Sequence, residues 1–301
     1  MNNFKNSYAF VLKSIKKDLT LKPIFSDLKN KTYVVSGATR GIGFSIAQYL
    51  AKNGANVSMI GKTVSEHPKL ENTIHSAKNQ IINTTNNRNI ISIPCDIRDS
   101  EQIKKAVLKT KNKFLGIDGV ILNASALVLN NTLNISQKEI NLLTDVNIKG
   151  SFLMGRECLK HIKSSQHGHV ITISPPLGML NNKDWWTEHF YYSMSKFNMS
   201  LMAYNWNNEF KNIGVNTLWP RTTIDTAPVR NILGGGKMVN ISRKPDIMGI
   251  SALSILKADP LKCTGNNYID DEVCASLDID TEQFKVNSKL SEKELMPDFF
   301  C

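Results

Sequence analysis

Residues 37 to 43 have the sequence Gly37-Ala38-Thr39-Arg40-Gly41-Ile42-Gly43, a glycine-rich turn between two patterned segments. The apolar run Thr32-Tyr33-Val34-Val35 precedes it and is typical of a short buried strand. Residues 42–53 follow it with apolar side chains at helical spacing. Because backbone N–H groups at a helix N-terminus attract phosphate, and glycine allows close approach, the turn predicts a phosphate site. The same spacing also occurs in strand-to-helix turns that bind nothing.

Strand and helix patterns alternate along the rest of the chain. Since the strands are short, continuous apolar runs, they predict a parallel sheet that is covered on both faces. The fold class is therefore α/β, a doubly wound Rossmann-type parallel sheet of about seven strands with helices on both faces. The other predicted strands are 56–60, 90–94, 119–122, 169–173, 215–219 and 267–269, and the predicted helices are 65–83 in part, 99–113, 136–164 and 191–211.

A second motif lies about 150 residues after the turn, in Tyr192-Ser193-Met194-Ser195-Lys196. Tyr192 and Lys196 are four residues apart in a helical pattern, so their side chains project from one face. A free tyrosine ionises near pH 10, and a neighbouring ammonium favours its phenolate, which makes the pair suitable for proton transfer. Tyr191 lacks a lysine on its own face. Such a pair, taken alone, is more often part of an exposed helix surface, but its position behind the glycine turn at this distance favours proton transfer.

Composition and charge exclude several classes of protein. The formal charge is +11, and seven lysines against two aspartates lie within residues 1–31. No zinc-finger spacing or RNA-binding signature accompanies this excess, so we expect no nucleic-acid partner and attribute the charge to an anionic cofactor. No run of about 18 apolar residues occurs, which argues against a membrane span. The five cysteines and six histidines form no metal-ligand spacing, so we expect no metal site.

The domain organisation predicted from these features is a basic N-terminal extension, residues 1–27, followed by a single dinucleotide-binding and catalytic domain, residues 28–301. The extension is interpreted as a surface helix or arm, or alternatively as an organelle-targeting peptide that lacks the usual arginines. Five unpaired cysteines indicate a reducing compartment. The expected localisation is therefore cytoplasmic, with a mitochondrial alternative that depends on the extension.

Taken together, the motifs resemble the short-chain dehydrogenase/reductase family over roughly residues 28–275. Ser36 stands where that family usually has threonine before the turn. The resemblance is closest to the hydroxysteroid dehydrogenase-like subgroup and to similar bacterial enzymes of terpene-alcohol breakdown. The matching residues outside the turn are Asp96, Asn123-Ala124-Ser125, Asn147, Tyr192, Lys196 and Pro220, with the subgroup features 61–63, 67–70, 173–177 and 218–222.

The resemblance implies a nicotinamide-dependent oxidoreductase with assigned roles for these residues. Tyr192 would exchange a proton with the substrate oxygen, Lys196 would hold the nicotinamide ribose, and Asn147 would hold a water that relays protons through Lys196. Family members usually form dimers or tetramers through the helices that contain Asn147 and Tyr192, so a homo-oligomer is implied. The implied cofactor-binding residues are Gly37, Thr39, Arg40, Gly41, Ile42, Gly43, Lys62, Asp96, Asn123, Lys196 and Pro220.

One departure from the family concerns the end of the fifth strand. The family usually has two serines there, and the second helps to bind the substrate oxygen. Here the pair is Ser174-Pro175, so that position has no donor. Ser174 is the candidate to take over this catalytic role, although a purely structural role at the strand end is an equal alternative.

Charge at the end of the second strand indicates which nicotinamide cofactor is used. A carboxylate there would bond the ribose hydroxyls and repel a 2′-phosphate, whereas a cation pairs with that phosphate. The chain has Gly61 and Lys62 at this point, and Arg40 adds a second cation within the turn. We therefore expect NADP as the cofactor, with NAD less favoured.

Two apolar segments are expected near the substrate, since loops at the carboxyl ends of the strands line the ligand crevice. Their bulk indicates an apolar alcohol or carbonyl compound, lipid-derived, terpenoid or steroid-like; a lid or a subunit contact is the alternative. A rival function is a catalytically weak dinucleotide-binding sensor or interaction protein, which Pro175 supports. The segments contain Leu177, Met179, Leu180, Trp185, Trp186 and Phe190, then Ile224, Val229, Ile232 and Leu233.

Overall fold

Seven parallel strands form one sheet in the order β3-β2-β1-β4-β5-β6-β7 in the computed structural model, which describes residues 27–181 and 188–300. The predicted α/β Rossmann-type fold is confirmed. Each predicted strand is present, with ends that differ by at most two residues. The strands are β1 Thr32–Ser36, β2 Asn56–Gly61, β3 Ile90–Pro94, β4 Gly119–Leu122, β5 Gly168–Ile173, β6 Ile213–Trp219 and β7 Asn267–Ile269.

Alternate residues of the strands pack into two apolar clusters on opposite faces of the sheet. In β1, Tyr33 and Val35 face one cluster, and Val34 faces the other. Both faces are buried, which explains why the strands are continuous apolar runs rather than alternating ones. Helices α1 Gly41–Lys52, α2 Ile74–Thr85 and α9 Asp246–Lys257 cover the first face, and α3 Ser100–Phe114, α5 Ser151–Ile162 and α6 Phe190–Glu209 cover the second.

The strand order reverses between β1 and β4. β1 pairs with β2 on one side, with Val35 opposite Met59, and with β4 on the other, with Val35 opposite Ile121. The connections after β1 and β4 therefore leave the sheet in opposite directions. In an open parallel sheet a crevice forms at this point, beyond the carboxyl ends of the strands.

The long helical pattern at 136–164 is not one regular α-helix. It consists of α4 Gln137–Leu143, a π-helical turn at Thr144–Gly150 and then α5. Likewise, the pattern at 65–83 becomes helical only at Ile74, because the Thr73 side chain accepts from the Ser76 backbone and caps α2 there. The π-helical turn contains Asn147, and such turns often occur at functional sites.

The chain after β6 adds elements that the sequence patterns did not predict. The short helices are α7 Ala227–Asn231, α8 Gly235–Asn240 and α10 Asp270–Ala275. Isolated strand bridges tie this region together, joining Thr222 to Pro297, Ile224 to Arg243 and Arg243 to Lys285. The last residues described are thereby held against the segment that follows β6.

The N-terminal extension lies outside the described residues as far as residue 26, so its interpretation stays a prediction. Among the helices that the structure describes, none combines the length and the apolar character needed to cross a bilayer. Within the same residues, no three His, Cys, Asp or Glu side chains cluster in a way that could hold a metal ion.

The contact between α5 and α6 depends on the absence of a side chain at Gly155. A Cβ atom there would collide with the Trp206 ring on α6 and would lie 3.3 Å from Leu122 Cδ1. We expect Gly155→Val to lower the free energy of unfolding by about 1–3 kcal/mol through overpacking, measured by denaturant titration. Gly116→Ala is the control, because nothing lies within 4 Å of its Cβ position. Equal stability of the two variants would contradict this account.

Candidate active site

A cleft of about 600 Å³ opens beyond the carboxyl ends of the strands, at the reversal between β1 and β4. The glycine turn forms one end of it, and Tyr192 and Lys196 on α6 form another part of the wall. The two sequence motifs therefore meet in one cavity. The predicted site residues that line it are Gly37, Thr39, Arg40, Gly41, Ile42, Lys62, Asp96, Asn123, Tyr192, Lys196 and Pro220.

The turn needs glycine for two reasons, conformation and space. Gly37 and Gly41 have φ values of +65° and +56°, a region that strains other residues. A Cβ on Gly37 would lie 2.9 Å from Ala124 Cα, and one on Gly43 would collide with Gly37 O and the Asn123 amide. Gly43 thus allows Gly37 and Asn123 to pack closely against the start of α1, on the side away from the cleft, and it is not part of the cleft wall.

Ser36 and Asn123 fix the turn to the end of β4. The Ser36 hydroxyl accepts from the backbone N–H groups of Asn123 at 3.0 Å and Ala124 at 3.1 Å. In return, Asn123 Nδ2 donates to Ser36 O at 3.0 Å and Gly37 O at 3.1 Å. Because both ends are tied, the turn and the start of α1 have a defined position.

The start of α1 fits the diphosphate of a dinucleotide. Its first turn has no acidic residue, and the residue before it, Arg40, makes no side-chain cap bond. Helix N–H groups without a side-chain partner, together with the dipole, favour an anion. Gly37 and Gly41 line the cleft beside this helix start, so a phosphate could approach their backbone.

The cations near the turn differ in their contacts. Arg40 donates to Glu71 O at 2.8 Å and to Asn72 O at 3.0 Å, so its guanidinium holds the loop after β2. Lys62 is exposed on the cleft wall. Asp96 pairs with Arg98 at 2.5 Å, and hydrogen bonding from Arg98 lowers the Asp96 pKa despite partial burial.

Tyr192 and Lys196 are both buried, and burial controls their protonation. Lys196 Nζ donates to Ile173 O at 2.6 Å and lies 5.2 Å from the centroid of the Trp219 ring. Burial lowers the pKa of Lys196 to about 7, although the Asp298 charge acts in the opposite direction. Burial also raises the Tyr192 pKa well above its usual value, and Asp298 adds to the increase. The phenol is therefore held in its protonated form.

Tyr191 points to a different part of the molecule. Its hydroxyl forms a 2.8 Å hydrogen bond with Thr144 Oγ1 in the π-helical turn, and it does not line the cleft. The neighbouring tyrosines thus have separate environments on α6.

Asn147 is fully buried and does not line the cleft. Its Oδ1 accepts from Ala126 N at 2.7 Å and Ser125 Oγ at 3.1 Å, and its Nδ2 donates to Ala126 O at 3.0 Å and Ser195 Oγ at 2.9 Å. These four bonds use all the hydrogen-bonding positions of the amide. Asn147 therefore fixes the loop after β4 relative to α6, and holding a water with this amide would require one bond to open.

Ser174 is also buried away from the cleft. Its hydroxyl forms a 2.8 Å hydrogen bond with Thr172 Oγ1, and its N–H donates to Leu218 O. Pro175 O accepts from Ser200 Oγ at 2.6 Å. The structure thus does not bring Ser174 together with Tyr192 in the cleft wall, and its catalytic role stays a prediction.

The two predicted substrate segments are placed differently. Ile224, Val229, Ile232 and Leu233 line the cleft. Leu177 and Met179 instead pack against the apolar core, while Leu180 and Phe190 are exposed. Trp185 and Trp186 lie outside the described residues.

Several cleft residues were missed by the sequence analysis. Leu127, Leu142 and Val146 add an apolar wall from the loop after β4 and the helix that follows. Asp298 and Phe299 reach the cleft from the far end of the chain. The Phe299 ring lies edge-on to Tyr192 with 5.8 Å between centroids. No motif marks these residues, because they reach the site through tertiary contacts alone.

The four cysteines that the structure describes, Cys95, Cys158, Cys263 and Cys274, are buried free thiols. Cys95 lines the cleft beside Asp96. Burial, with a smaller effect of the Asp96 and Asp99 charges, raises the pKa of Cys95 to about 12.

Comparison with known proteins identifies the family. The family model for short chain dehydrogenase matches residues 31–232. The chain is 39% identical to hydroxysteroid dehydrogenase-like protein 2 from Mus musculus over 281 residues, 92% of this chain and 55% of the mouse protein. For the Homo sapiens protein of the same name, identity is 39% over 272 residues, covering 89% and 63%.

Solved structures agree. A short chain dehydrogenase from Mycobacterium thermoresistibile has 33% identity and a TM-score of 0.81, over 90% of this chain and 95% of that one. A Burkholderia cenocepacia short chain dehydrogenase, in complex with NADP, shares the fold at 18% identity, with a TM-score of 0.68 over 88% of this chain and all of that one.

The chain belongs to the short-chain dehydrogenase/reductase family. Within the family it is a hydroxysteroid dehydrogenase-like member, so both levels of the resemblance stated from the sequence are confirmed. The chain spans less than two thirds of the length of the mouse and human relatives.

The packing behind the glycine turn makes Gly43 a test of the site. We expect Gly43→Ala to displace the turn, because the new methyl group would meet Gly37 O and the Asn123 amide. Dinucleotide binding, measured by fluorescence titration with NADPH and NADH, should weaken at least about tenfold. Gly236→Ala is the control, since its Cβ position is open. An unchanged Kd in a folded Gly43→Ala variant would show that the turn does not hold the dinucleotide.

Proposed function

We propose that the chain is an NADP-dependent oxidoreductase that interconverts an apolar alcohol and carbonyl by hydride transfer. The observation that supports this most directly is the meeting of the glycine turn with Tyr192 and Lys196 in one cleft. The cavity has a helix start suited to phosphate at one end and a pair suited to proton transfer in another part of its wall. A dinucleotide could lie between them.

The proposed mechanism assigns the proton to Tyr192. When bound, the dinucleotide supplies or accepts the hydride at the substrate carbon. Tyr192 donates its hydroxyl proton to the carbonyl oxygen during reduction and accepts it during oxidation. Burial favours the protonated phenol, which is the form required for reduction. Lys196 would hold the nicotinamide ribose, and its charge would favour the phenolate after proton transfer.

Asn147 enters this proposal as part of the proton relay. The hydrogen bonds of its side-chain amide connect the loop after β4 with Ser195, the residue directly before Lys196. The residue therefore sets the distance between the loop wall and the Tyr192 helix. If one hydrogen bond of the Asn147 side-chain amide opened, a water molecule could take its place and join the relay to Lys196.

The preference for NADP rests on Lys62. This lysine is exposed on the cleft wall directly after β2, where the adenosine ribose of a dinucleotide would lie. It offers a charge-assisted bond to a 2′-phosphate. Arg40 contributes a second positive charge, although its guanidinium already bonds the backbone at Glu71 and Asn72.

The apolar cleft wall supports the proposed substrate class. Val229, Ile232 and Leu233 from the region after β6 face the same cavity as Leu127 and Leu142. Burial of an apolar molecule against these side chains would supply binding energy that polar substrates lack. A lipid-derived, terpenoid or steroid-like compound meets this requirement.

We further propose a homo-oligomer built through α5 and α6. Phe152 on α5 is 41% exposed, and Leu201 and Tyr204 on α6 are 52% and 63% exposed. Large exposed apolar side chains on two adjacent helices are typical of a subunit interface. For localisation, we propose a reducing compartment, the cytoplasm or, through the extension, the mitochondrion.

Substitution of Tyr192 distinguishes the proposed enzyme from the alternative function, a dinucleotide-binding protein with weak activity. The alternative is supported by Ser174, because its hydroxyl is buried and bonded to Thr172. We expect Tyr192→Phe to lower kcat at least about 100-fold, because the proton donor is lost. The assay uses NADPH with apolar aldehydes and ketones, and NADP with the matching alcohols. Tyr191→Phe is the matched control, since its hydroxyl bonds Thr144 outside the cleft. Dinucleotide binding without turnover of any substrate would support the binding protein instead.

Cofactor preference is tested at Lys62. We expect Lys62→Ala to lower kcat/KM for NADPH about tenfold and to leave the value for NADH nearly unchanged, since only the 2′-phosphate interaction is removed. Lys52→Ala is the control, because Lys52 is an exposed residue at the end of α1 that does not line the cleft. A wild-type preference for NADH, or an equal effect on both cofactors, would contradict the assignment.

A further inference from the structure

Residues 295–300, called here the 295–300 segment, are held in place by hydrogen bonds to residues 219–223. Thr223 N donates to Met296 O at 2.8 Å, and Asp298 N donates to Arg221 O at 3.0 Å. Trp219 Nε1 donates to Phe299 O at 2.8 Å. These bonds join the segment to the end of β6 and to the residues that follow it. The Asp298 side chain is therefore presented to the cleft from a fixed backbone.

Aromatic packing adds to this fixation. Phe300 is buried, with its ring centroid 5.0 Å from that of Phe197 and 6.0 Å from that of Trp219. The neighbouring Phe299 lies edge-on to the Tyr192 ring. Asp298, directly before these two rings in the chain, lines the same cavity as Tyr192 and Lys196.

A carbonyl oxygen that gains negative charge during hydride addition is stabilised most when it receives hydrogen bonds from more than one donor. Tyr192 is one donor in this cleft. Several nearby polar side chains already have partners: Ser174 bonds Thr172, Ser125 bonds Ala126 and Asn147, and Lys196 bonds Ile173. Pro175 has no donor at all. The Asp298 carboxyl, which lines the same cavity, is a candidate for the second donor.

The Asp298 carboxyl has one oxygen available. Its Oδ1 accepts from Phe299 N at 2.7 Å. Within residues 27–181 and 188–300, no hydrogen bond to Oδ2 is formed. When this carboxyl is protonated, it gains an O–H donor that can be directed into the cleft.

The surroundings of Asp298 favour the protonated form at neutral pH. The side chain is half-buried. Loss of hydration in the cleft is the main cause that raises its pKa to about 8; the Asp270 charge adds to the increase, whereas the hydrogen bond from Phe299 N–H and the Lys196 charge act to lower it. A carboxylic acid kept neutral in this way can serve as a hydrogen-bond donor. Several titratable and charged groups surround it. Tyr192 and Lys196 lie on α6, and His189 directly precedes that helix. Asp270 begins α10, Arg221 follows β6, and the charge of Arg243 acts on Asp270.

We propose that Asp298, as a neutral carboxylic acid, donates a second hydrogen bond to the substrate carbonyl oxygen, beside the one from Tyr192. The proposal rests on the proposed function and adds a catalytic residue to it. During reduction, the bound nicotinamide would supply the hydride for the new C–H bond and become oxidised, and the carbonyl π electrons would move to oxygen. Tyr192 would donate the proton of the new O–H bond and be left as a phenolate. Asp298 retains its proton and stabilises the charge that develops on the oxygen.

Two variants of Asp298 test the donor role. Asp298→Ala removes the donor, and we expect kcat for carbonyl reduction to fall about 100-fold with an unchanged Kd for NADPH. Asp298→Asn retains a donor without a titratable proton, so we expect it to keep kcat within about tenfold of wild type. Asp278→Asn is the control for a charge change on an exposed loop.

The pH profile supplies a second readout that a structural role would not change. Wild-type kcat for reduction should fall as pH rises through about 8, because Asp298 then loses its proton and places a negative charge beside the reacting oxygen. Asp298→Asn should lack this decrease, and Asp278→Asn should keep it. An Asp298→Ala kcat within threefold of wild type, or an Asn variant as impaired as the Ala variant, would overturn the proposal.

An infrared difference spectrum measures the protonation state of the Asp298 carboxyl without any substrate. The wild-type minus Asp298→Asn spectrum of the NADPH-bound protein should contain a protonated carboxylic acid band at pH 6–7 that disappears above about pH 8. Absence of this band overturns the assignment of Asp298 even if the enzyme is active. Absence of wild-type turnover on the whole substrate panel, with the band present, instead overturns the proposed function.

Discussion

The paired hydrogen bonds between Ser36 and Asn123 are the constraint on which the site depends. They join the carboxyl ends of β1 and β4, the two strands between which the sheet reverses direction. The bonds hold the glycine turn open as a cradle, and they direct the loop after β4 along the other side of the cleft. Asn147 connects this loop to α6, because its side-chain amide donates hydrogen bonds to Ala126 O and to Ser195 Oγ. A chain of polar contacts thus connects the glycine turn at one end of the cleft with α6, which carries Tyr192 and Lys196.

Burial determines the protonation of the ionisable groups in the part of the cleft formed by Tyr192, Lys196 and Asp298. Burial lowers the pKa of Lys196 and raises those of Tyr192 and Asp298, so each group moves toward its neutral form. Electrostatic interactions are strong in such a medium, because little water screens them. In the proposed reaction, charge that enters with the dinucleotide or develops on the substrate would therefore have a large effect on proton position.

The sequence predicted the sheet well because each strand is buried on both faces and is a continuous apolar run. It also predicted the two ends of the cleft, since the glycine turn and the Tyr192–Lys196 spacing are local patterns. The environment of Ser174 was not predictable, because its pairing with Thr172 depends on side-chain orientation. The π-helical turn has no distinctive composition. Asp298 reaches the cleft only through bridges that join segments far apart in the chain, such as Thr222 to Pro297, and local patterns carry no information about them.

The thiol of Cys95 shows a consequence of burial at the edge of the cleft. Thiolate anions, rather than thiols, are the nucleophiles that react with electrophilic compounds. Cys95 lies on the cleft wall beside Asp96, directly after β3, but burial raises its pKa to about 12, so that its sulfur is protonated at physiological pH. This cysteine is therefore a weak nucleophile although it borders the cleft.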